Sequence, residues 1–469
     1  MSNIKFGTGG YRAVIGEDFN KENVQKICQA ISNIIIRENK KREVCIGYDN
    51  RFMSEDFAIW CSEVFAGNGI VVKLFDKATS TPVCMFATKQ CDNDYGVMIT
   101  ASHNPYKYNG VKVFVSEGKD ASVDDCEKIE NEINSLTSIK TSVFDKELDK
   151  NIFYVNFLEA YVDNIINLFD MKDFSNIKIV YDAKHGSTTE ELIMFSNKIG
   201  LKDDYSIINS NRDAFFGFTA PAPSPNNIDV LVKQVKASNA DIGFALDADG
   251  DRLAVIDENG NYIDNNYILA ISYYFLVKYY GKSGGAVKNV ATSNLLDEVA
   301  RRLGYNCEEV PVGFKYISKG IIDSNAVIGG ESSGGLAVQG HIWGKDSLLS
   351  IAICLKAMAV MNKSFGEIIE EVLSFAGNYS RVICDRQYTY TPDKEKRIKA
   401  LLDNKELPDQ RYEIDSIVWK DYIKIYYKNS NWLLIRFSGT EPVIRIFAEA
   451  ETQKESDDLI LDWQNFLGL

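Results

Sequence analysis

The chain has 469 residues, 45% hydrophobic and 25% charged, the make-up of an ordinary globular protein with roughly three or four domains. Its net charge, 52 − 66 = −14, argues against general binding to nucleic acid or anionic membranes and leaves room for a local basic pocket for a small anion. No run reaches the roughly 18 apolar residues of a membrane span, and MSNIKFGTGG lacks the apolar segment of a signal peptide. The nine cysteines are scattered without a Cys-x-x-Cys pair, so free, buried thiols in a reducing, cytoplasmic setting are expected.

In chain order, FGTGGYR (6–12) is a Gly-rich loop ending in Arg12. REVCIGYDN (42–50) reads as a buried strand, SEDFAIWCSEVFAGNG (54–69) as a helix with Ser54 at its N-cap, and GIVVKLFD as the next strand. NDYGVMI (93–99) is a strand that runs into TASHNP. Residues 118–150 are charged without clear apolar period and read as a linking region. The helix NFLEAYVDNIINLF then opens a second unit: strand NIKIVYDAKHG (176–186), helix TTEELIMFSNKIG, strand DDYSIINS, and ADIGFAL (240–246) running into DADGDR. DENGNY (257–262) is a turn. KNVATSN, helix LLDEVARRLG and CEEVPVG begin a third unit, in which AVIGGE (326–331) leads into GGESSGG. Residues 376–393 leave the pattern, and strands SIVWKDYIKIYY and NWLLIRF with helix ESDDLILDWQNFL predict a small α+β domain. Three strands with glycine at a matching place, each delivering one unusual polar loop, imply a triplicated α/β architecture whose ligands gather at the strand ends. Common turn chemistry before a strand is the plainer reading of the same glycines.

Asp247, Asp249 and Asp251 alternate, so an extended chain would turn all three carboxylates to one side. Such crowding is costly unless a cation neutralises it, and an all-oxygen set suits a hard ion, Mg²⁺ or Ca²⁺. An EF-hand fits poorly: Glu258 falls at its position 12, but Arg252 stands where the sharp turn needs glycine, and the flanks ADIGFAL and LAVID read as strands. Ser102 invites a hydrolase reading with His103, yet neighbours on an extended chain point apart and the Gly-x-Ser-x-Gly elbow is missing. Beside the aspartates, Ser102 would instead be a metal ligand and a phosphoryl acceptor. RFSGTEPVIR (436–445) offers Arg436, Ser438, Gly439, Thr440 and Arg445 as a phosphate nest, which a solvated turn would explain equally. GGESSGG presents Glu331 and Ser333 to sugar hydroxyls, with a flexible turn as the alternative.

Together FGTGGYR, TASHNPYKYNGVK, DADGDR, GGESSGG and RFSGTEP resemble the α-D-phosphohexomutase family, in family order and over essentially the whole chain. The resemblance implies three similar α/β/α domains with mixed sheets (1–150, 151–258, 259–372) and a smaller C-terminal α+β domain (373–469) around a central cleft. It implies that Ser102 is phosphorylated, and that Asp247, Asp249 and Asp251 hold one Mg²⁺ with the Ser102 oxygen. Arg12 and Arg252 would contact the phosphoryl group, and Lys112 would be a general acid/base. Glu331 and Ser333 would grip the sugar. Arg436, Ser438, Gly439 and Thr440 would hold the non-transferring phosphate, with Arg445, Lys345 and Lys315 as further basic contacts.

The sequence departs from the family in three places. Gly335 stands where several members carry histidine, and His341 is the candidate to replace it or merely lines the cleft. Ala248 replaces a frequent glycine, and KDS replaces the more usual KDG. The expected activity is a phosphoglucomutase that also accepts mannose phosphates, working through a hexose 1,6-bisphosphate that is also its activator. Phosphoglucosamine mutase, a serine-dependent metal phosphatase and a non-catalytic sugar-phosphate binder are the alternatives. Partners would be small sugar phosphates only, and the protein a monomer or homodimer.

Overall fold

The structure, a computed structural model, describes all residues except 1–3, 8, 144–149, 202 and 438–442. The first unit contributes strands β1 (Glu43–Tyr48), β2 (Val71–Phe75), β3 (Tyr95–Ile99) and β4 (Tyr108–Val115). The second has β5 (Ile179–Asp182), β6 (Tyr205–Ile208), β7 (Ile242–Leu246) and β8 (Leu253–Asp257). The third has β9 (Ala286–Asn289), β10 (Cys307–Val310), β11 (Ile328–Glu331) and β12 (Gly335–Val338). The spatial orders are β2-β1-β3-β4, β6-β5-β7-β8 and β10-β9-β11-β12, one topology used three times. Within each, the first three strands are parallel and the last returns antiparallel. The parallel strands read as nearly continuous apolar runs because helices cover both faces. Each antiparallel return is a hairpin, and its connecting loop is one of the three polar loops singled out by the sequence.

The reading of 118–150 as a linker is corrected. Val123–Ser135 is a helix opened by a capping box between Ser122 and Asp125, with Ile129 fully buried. It packs on the helix Lys21–Arg37 through a stripe, Cys126, Ile129 and Ile133, too narrow to stand out among its charges. Strand Ile152–Val155 pairs with β2, so the first sheet runs past the expected boundary at 150.

The third unit is centred on two helices, Asn265–Lys278 and Ser347–Met361, that are apolar nearly all round because both are core helices. No single helix among the described residues is long and apolar enough to cross a membrane. The C-terminal sheet, β13 (Val382–Thr389), β14 (Ile414–Trp419), β15 (Tyr422–Tyr427), β16 (Trp432–Phe437) and β17 (Val443–Ala450), is antiparallel in the order β13-β17-β16-β15-β14. The helix Gln453–Leu467 covers it with Leu459, Ile460 and Trp463. This unit meets the third along a seam in which Lys424 Nζ donates to the Val290 carbonyl (2.8 Å) and to Glu309 (2.5 Å), while buried Glu449 accepts from the Ser293 hydroxyl and the Asn294 amide.

Candidate active site

Loops from all four units line one cleft of about 990 Å³. Arg12, His103, Asn104, Lys112, Asp251, Arg252, Glu331, Ser333, Lys345, Arg436 and Arg445 face it. Ser102, Asp247 and Asp249 are fully buried beneath its floor.

DADGDR is a tight turn between β7 and β8 and not the extended stretch expected from its alternation. The carboxylates converge for a different reason: Gly250 takes φ +70°, and Asp247 Oδ1 accepts from the amides of Asp251 (3.0 Å) and Arg252 (3.1 Å). One oxygen from each of the three aspartates lies within 4.8 Å of the others. Asp249 Oδ1 and Asp251 Oδ1 are buried without a hydrogen-bond partner among the described residues, so the set fits a hard divalent cation. Glu258 is engaged elsewhere, by the Ser364 hydroxyl at 2.5 Å, and strands flank the turn, so it is no EF-hand.

Lys112, on β4, reaches into the triad and donates to Asp249 (2.6 Å) and Asp251 (2.7 Å). Burial pulls its ammonium down, but these two carboxylates outweigh burial and raise it above the ordinary lysine range. Burial likewise pushes Asp249 and Asp251 up, yet Lys112, joined at Asp251 by Lys345 and Arg252, holds both below the usual carboxylate range. At Asp247, burial and the charges of Asp249 and Asp251 outweigh the attraction of Arg252 and Lys112 and raise it well above the usual carboxylate range. Ser102 Oγ donates to this carboxylate at 2.8 Å. The serine proposed from the first unit therefore meets the aspartates of the second.

The geometry around Ser102 corrects one expectation. Its φ is +52°, so the chain is turned and not extended there, and His103 Nδ1 lies 3.4 Å from Ser102 Oγ. Arg252, burial and then Arg12 and Lys345 hold His103 far below the ordinary imidazole range, so it is neutral. Arg12 donates to the Asn104 side chain (2.7 Å), and Glu331 accepts from Asn289 (3.1 Å), the Gly313 amide (3.3 Å) and the Ser333 hydroxyl (3.2 Å).

Arg436 and Arg445 are register partners on β16 and β17. Like charges directly opposite are unfavourable on a sheet unless an anion lies between them. Asp385 pairs with Arg445, while burial and then Arg445 lower the Arg436 guanidinium. Ser438, Gly439 and Thr440, expected to complete this nest, lie outside the described residues.

Two expected contacts are not brought to the cleft. Lys315 stands on the helix Phe314–Ser324, its ammonium 5.7 Å from the Tyr316 ring, and is not among the lining residues. His341 is a buried structural residue: its Nε2 is 2.7 Å from Asp346, its Nδ1 2.9 Å from Asn164, and Asp346 caps the helix Ser347–Met361 through the Leu349 amide. It does not replace a histidine at 335. That space belongs to Lys345. A β-carbon on Gly335 would stand 2.2, 2.4 and 2.9 Å from Lys345 Cδ, Cγ and Cβ, and the Lys345 ammonium lies 3.1 Å from Asp251.

The residues that hold the serine loop belong to none of the polar loops that stand out in the sequence. Arg51, fully buried just beyond β1, donates to the carbonyls of Ser102, Asn104 (2.7 Å), Pro105 (3.1 Å) and Tyr108 (3.1 Å). Asp49 orients it at 3.1 Å and accepts from Thr100, whose hydroxyl accepts from the Ser102 amide at 2.9 Å. YDNR at a strand's carboxyl end was the available signal.

The four units match, in order, domains I (3–140), II (159–260), III (264–375) and the C-terminal domain (382–462) of phosphoglucomutase/phosphomannomutase. The chain belongs to this family. Its reaction is therefore an intramolecular phosphate transfer, an isomerisation. The chain is 29% identical to a phosphoglucomutase/phosphomannomutase of Thermococcus kodakarensis, covering 97% of this chain and 96% of the relative. It is 30% identical to a phosphoglucosamine mutase of Ruminiclostridium cellulolyticum, covering 95% and 94%. Among solved structures, a phosphoglucomutase/phosphomannomutase family protein of Burkholderia thailandensis superposes with a TM-score of 0.83 at 21% identity, over 99% of this chain and 97% of that one, which speaks for the fold.

Proposed function

We propose that this mutase interconverts the 1- and 6-phosphates of a gluco-configured hexose through a phosphorylated Ser102. The contact of Ser102 Oγ with Asp247, beside two further aspartates, is the observation that carries the proposal. In the first half-reaction the bond from phosphorus to Ser102 Oγ breaks and one to the free sugar hydroxyl forms, giving a hexose 1,6-bisphosphate. In the second, the other phosphate of that intermediate returns to Ser102. Lys112, which bridges Asp249 and Asp251 beside the serine's own aspartate partner, is the general acid/base candidate for the proton that leaves the sugar hydroxyl and the one that the serine oxygen takes up. Arg12 and Arg252 steady the phosphoryl group, Glu331 and Ser333 bind sugar hydroxyls, and Arg436 and Arg445 bind the phosphate that stays. Asp247, Asp249 and Asp251 with the Ser102 oxygen would hold Mg²⁺, which when bound offsets charge on the transferring group. The nine cysteines, none in a disulfide, fit a reducing cytoplasmic setting.

The two readings of the sugar differ only at C2. The loops GGESSGG and RFSGTEP favour glucose, with mannose phosphates as further substrates. The names of relatives at 28–30% identity favour glucosamine. A coupled assay on glucose, mannose and glucosamine 1-phosphates, with a trace of the matching 1,6-bisphosphate, separates them by kcat/KM. Ser102→Ala should lose at least about a thousandfold in turnover with an unchanged melting temperature. Near-wild-type turnover of that variant, or release of free phosphate without isomerisation, overturns the proposal.

A further inference from the structure

The C-terminal unit grips one turn of the third unit at both of its ends. That turn, 289–294 at the end of β9, has the cleft on one side and the seam between the two units on the other. On the cleft side, Asn289 and Ala291 are lining residues, and the Asn289 side chain donates to Glu331 at 3.1 Å. On the seam side, Lys424 of β15 donates to the Val290 carbonyl at 2.8 Å. Glu449 of β17 accepts from the Asn294 amide at 3.1 Å and from the Ser293 hydroxyl. The Asn289 carboxamide oxygen also accepts from the Ala291 amide (2.9 Å) and the Thr292 hydroxyl (3.0 Å), so the turn closes on the side chain that supports Glu331.

Lys424 and Glu449 are both fully buried. Lys424 lies 4.5 Å from the centre of the Trp432 ring and 4.9 Å from that of Tyr426, and it shares Glu309 with the Tyr426 hydroxyl. The seam already has an apolar seal, Val290 and Ala291 packed with Trp432, Leu434 and Phe447. Taking charges out of water is costly, and apolar side chains of similar volume would hold such a seam at least as stably. What the two charges add is geometry: one carbonyl and one amide of the turn are each given a fixed partner. We propose that Lys424 and Glu449 are positioning residues for the sugar site, holding the turn 289–294 so that Asn289 keeps Glu331 aimed into the cleft. The inference rests on the proposed role of Glu331 as a sugar contact. Neither Lys424 nor Glu449 lines the cleft, so their effect passes through the turn. A sugar contact kept throughout the reaction shows in KM more than in kcat.

The test is steady-state kinetics of the full chain on glucose 1-phosphate and glucosamine 1-phosphate in parallel, beside melting curves. Lys424→Met keeps an unbranched stem between the two rings; it should raise KM about tenfold, change kcat less than about threefold and leave the melting temperature within a few degrees. Glu449→Gln, nearly isosteric, should raise KM about fivefold in the same way. Asn289→Ala should raise KM about as much as Lys424→Met, and the double variant no more than Asn289→Ala alone. Glu331→Ala separates this inference from the reading beneath it: an unchanged KM there removes Glu331 as a sugar contact and the inference with it. A raised KM in Glu331→Ala, with an unchanged KM in Lys424→Met and Glu449→Gln, overturns the role of the seam alone. So does a loss confined to kcat, or one that adds in full to the loss in Asn289→Ala. If Lys424→Met fails to fold, Glu449→Gln decides the matter from the other end of the turn.

Discussion

Gly335 shows how one missing β-carbon reassigns a cleft. Without a side chain at 335, the Lys345 stem crosses the backbone and delivers an ammonium to Asp251. A methyl group there would meet the fixed base of the lysine and not its mobile end, so Lys345 would have to leave. Gly335→Ala should lower kcat/KM by about tenfold or more, Lys345→Ala should do the same, and the double variant should be no worse than either single change. An additive loss in that kinetic cycle would refute the coupling. Ser102 and the three aspartates were legible because each stands in a polar cluster straight after an apolar strand. His341 misled because its distance along the chain carries no information about depth: the histidine is committed to Asp346 and Asn164, below the cleft.

At the scale of elements, the serine loop is held from behind by the end of β1. Arg51 gathers three carbonyls of the loop and that of Tyr108 at the start of β4, a task for a planar fork of donors that the point charge of lysine cannot match. Arg51→Lys should keep the fold, since Asp49 retains a cation, and lose turnover by on the order of 100-fold through misplacement of Ser102. Arg51→Met should destabilise by about 3–5 kcal/mol because it leaves the Asp49 carboxylate buried and unpaired. Melting curves beside steady-state rates check both, and equal turnover in Arg51→Lys and wild type would show that the loop holds itself. This clamp was illegible in the sequence because main-chain carbonyls carry no residue code. The strands that precede each functional loop were legible from their apolar runs, whereas the helix Val123–Ser135 was hidden by its own charges.

At the scale of the molecule, the aspartate turn ties three units together. Thr81 of the first donates from its amide to the Asp249 carbonyl (2.8 Å) and from its hydroxyl to the Asp249 carboxylate (2.6 Å). Ser347 of the third donates to the Gly250 carbonyl (2.6 Å), and the Leu253 amide to Gly334 (3.1 Å). Charge balance at this point therefore bears on the whole cleft. Chelation of divalent ions should stop turnover and leave the wild-type melting temperature nearly unchanged, because Lys112 still bridges Asp249 and Asp251. Lys112→Met should melt roughly 5 °C lower in chelator and recover with added Mg²⁺. A variant indifferent to Mg²⁺ in a thermal-shift titration would refute the account. The threefold repeat was visible in the matching glycine-bearing strands; the meeting of loops some 145 residues apart was not, because only the packing of the units creates it.

The turned backbone of Ser102 has a cost that the rest of the molecule carries. A residue with a β-carbon held at φ +52° gives up about 1 kcal/mol or more that glycine would not. Conformationally, glycine is the residue this turn prefers, so on the proposed mechanism thermostability and turnover are set against each other at a single side chain. A library sorted for heat resistance alone would drift toward glycine at 102, and its survivors would be well-folded proteins without the hydroxyl that the proposed phosphoryl transfer needs.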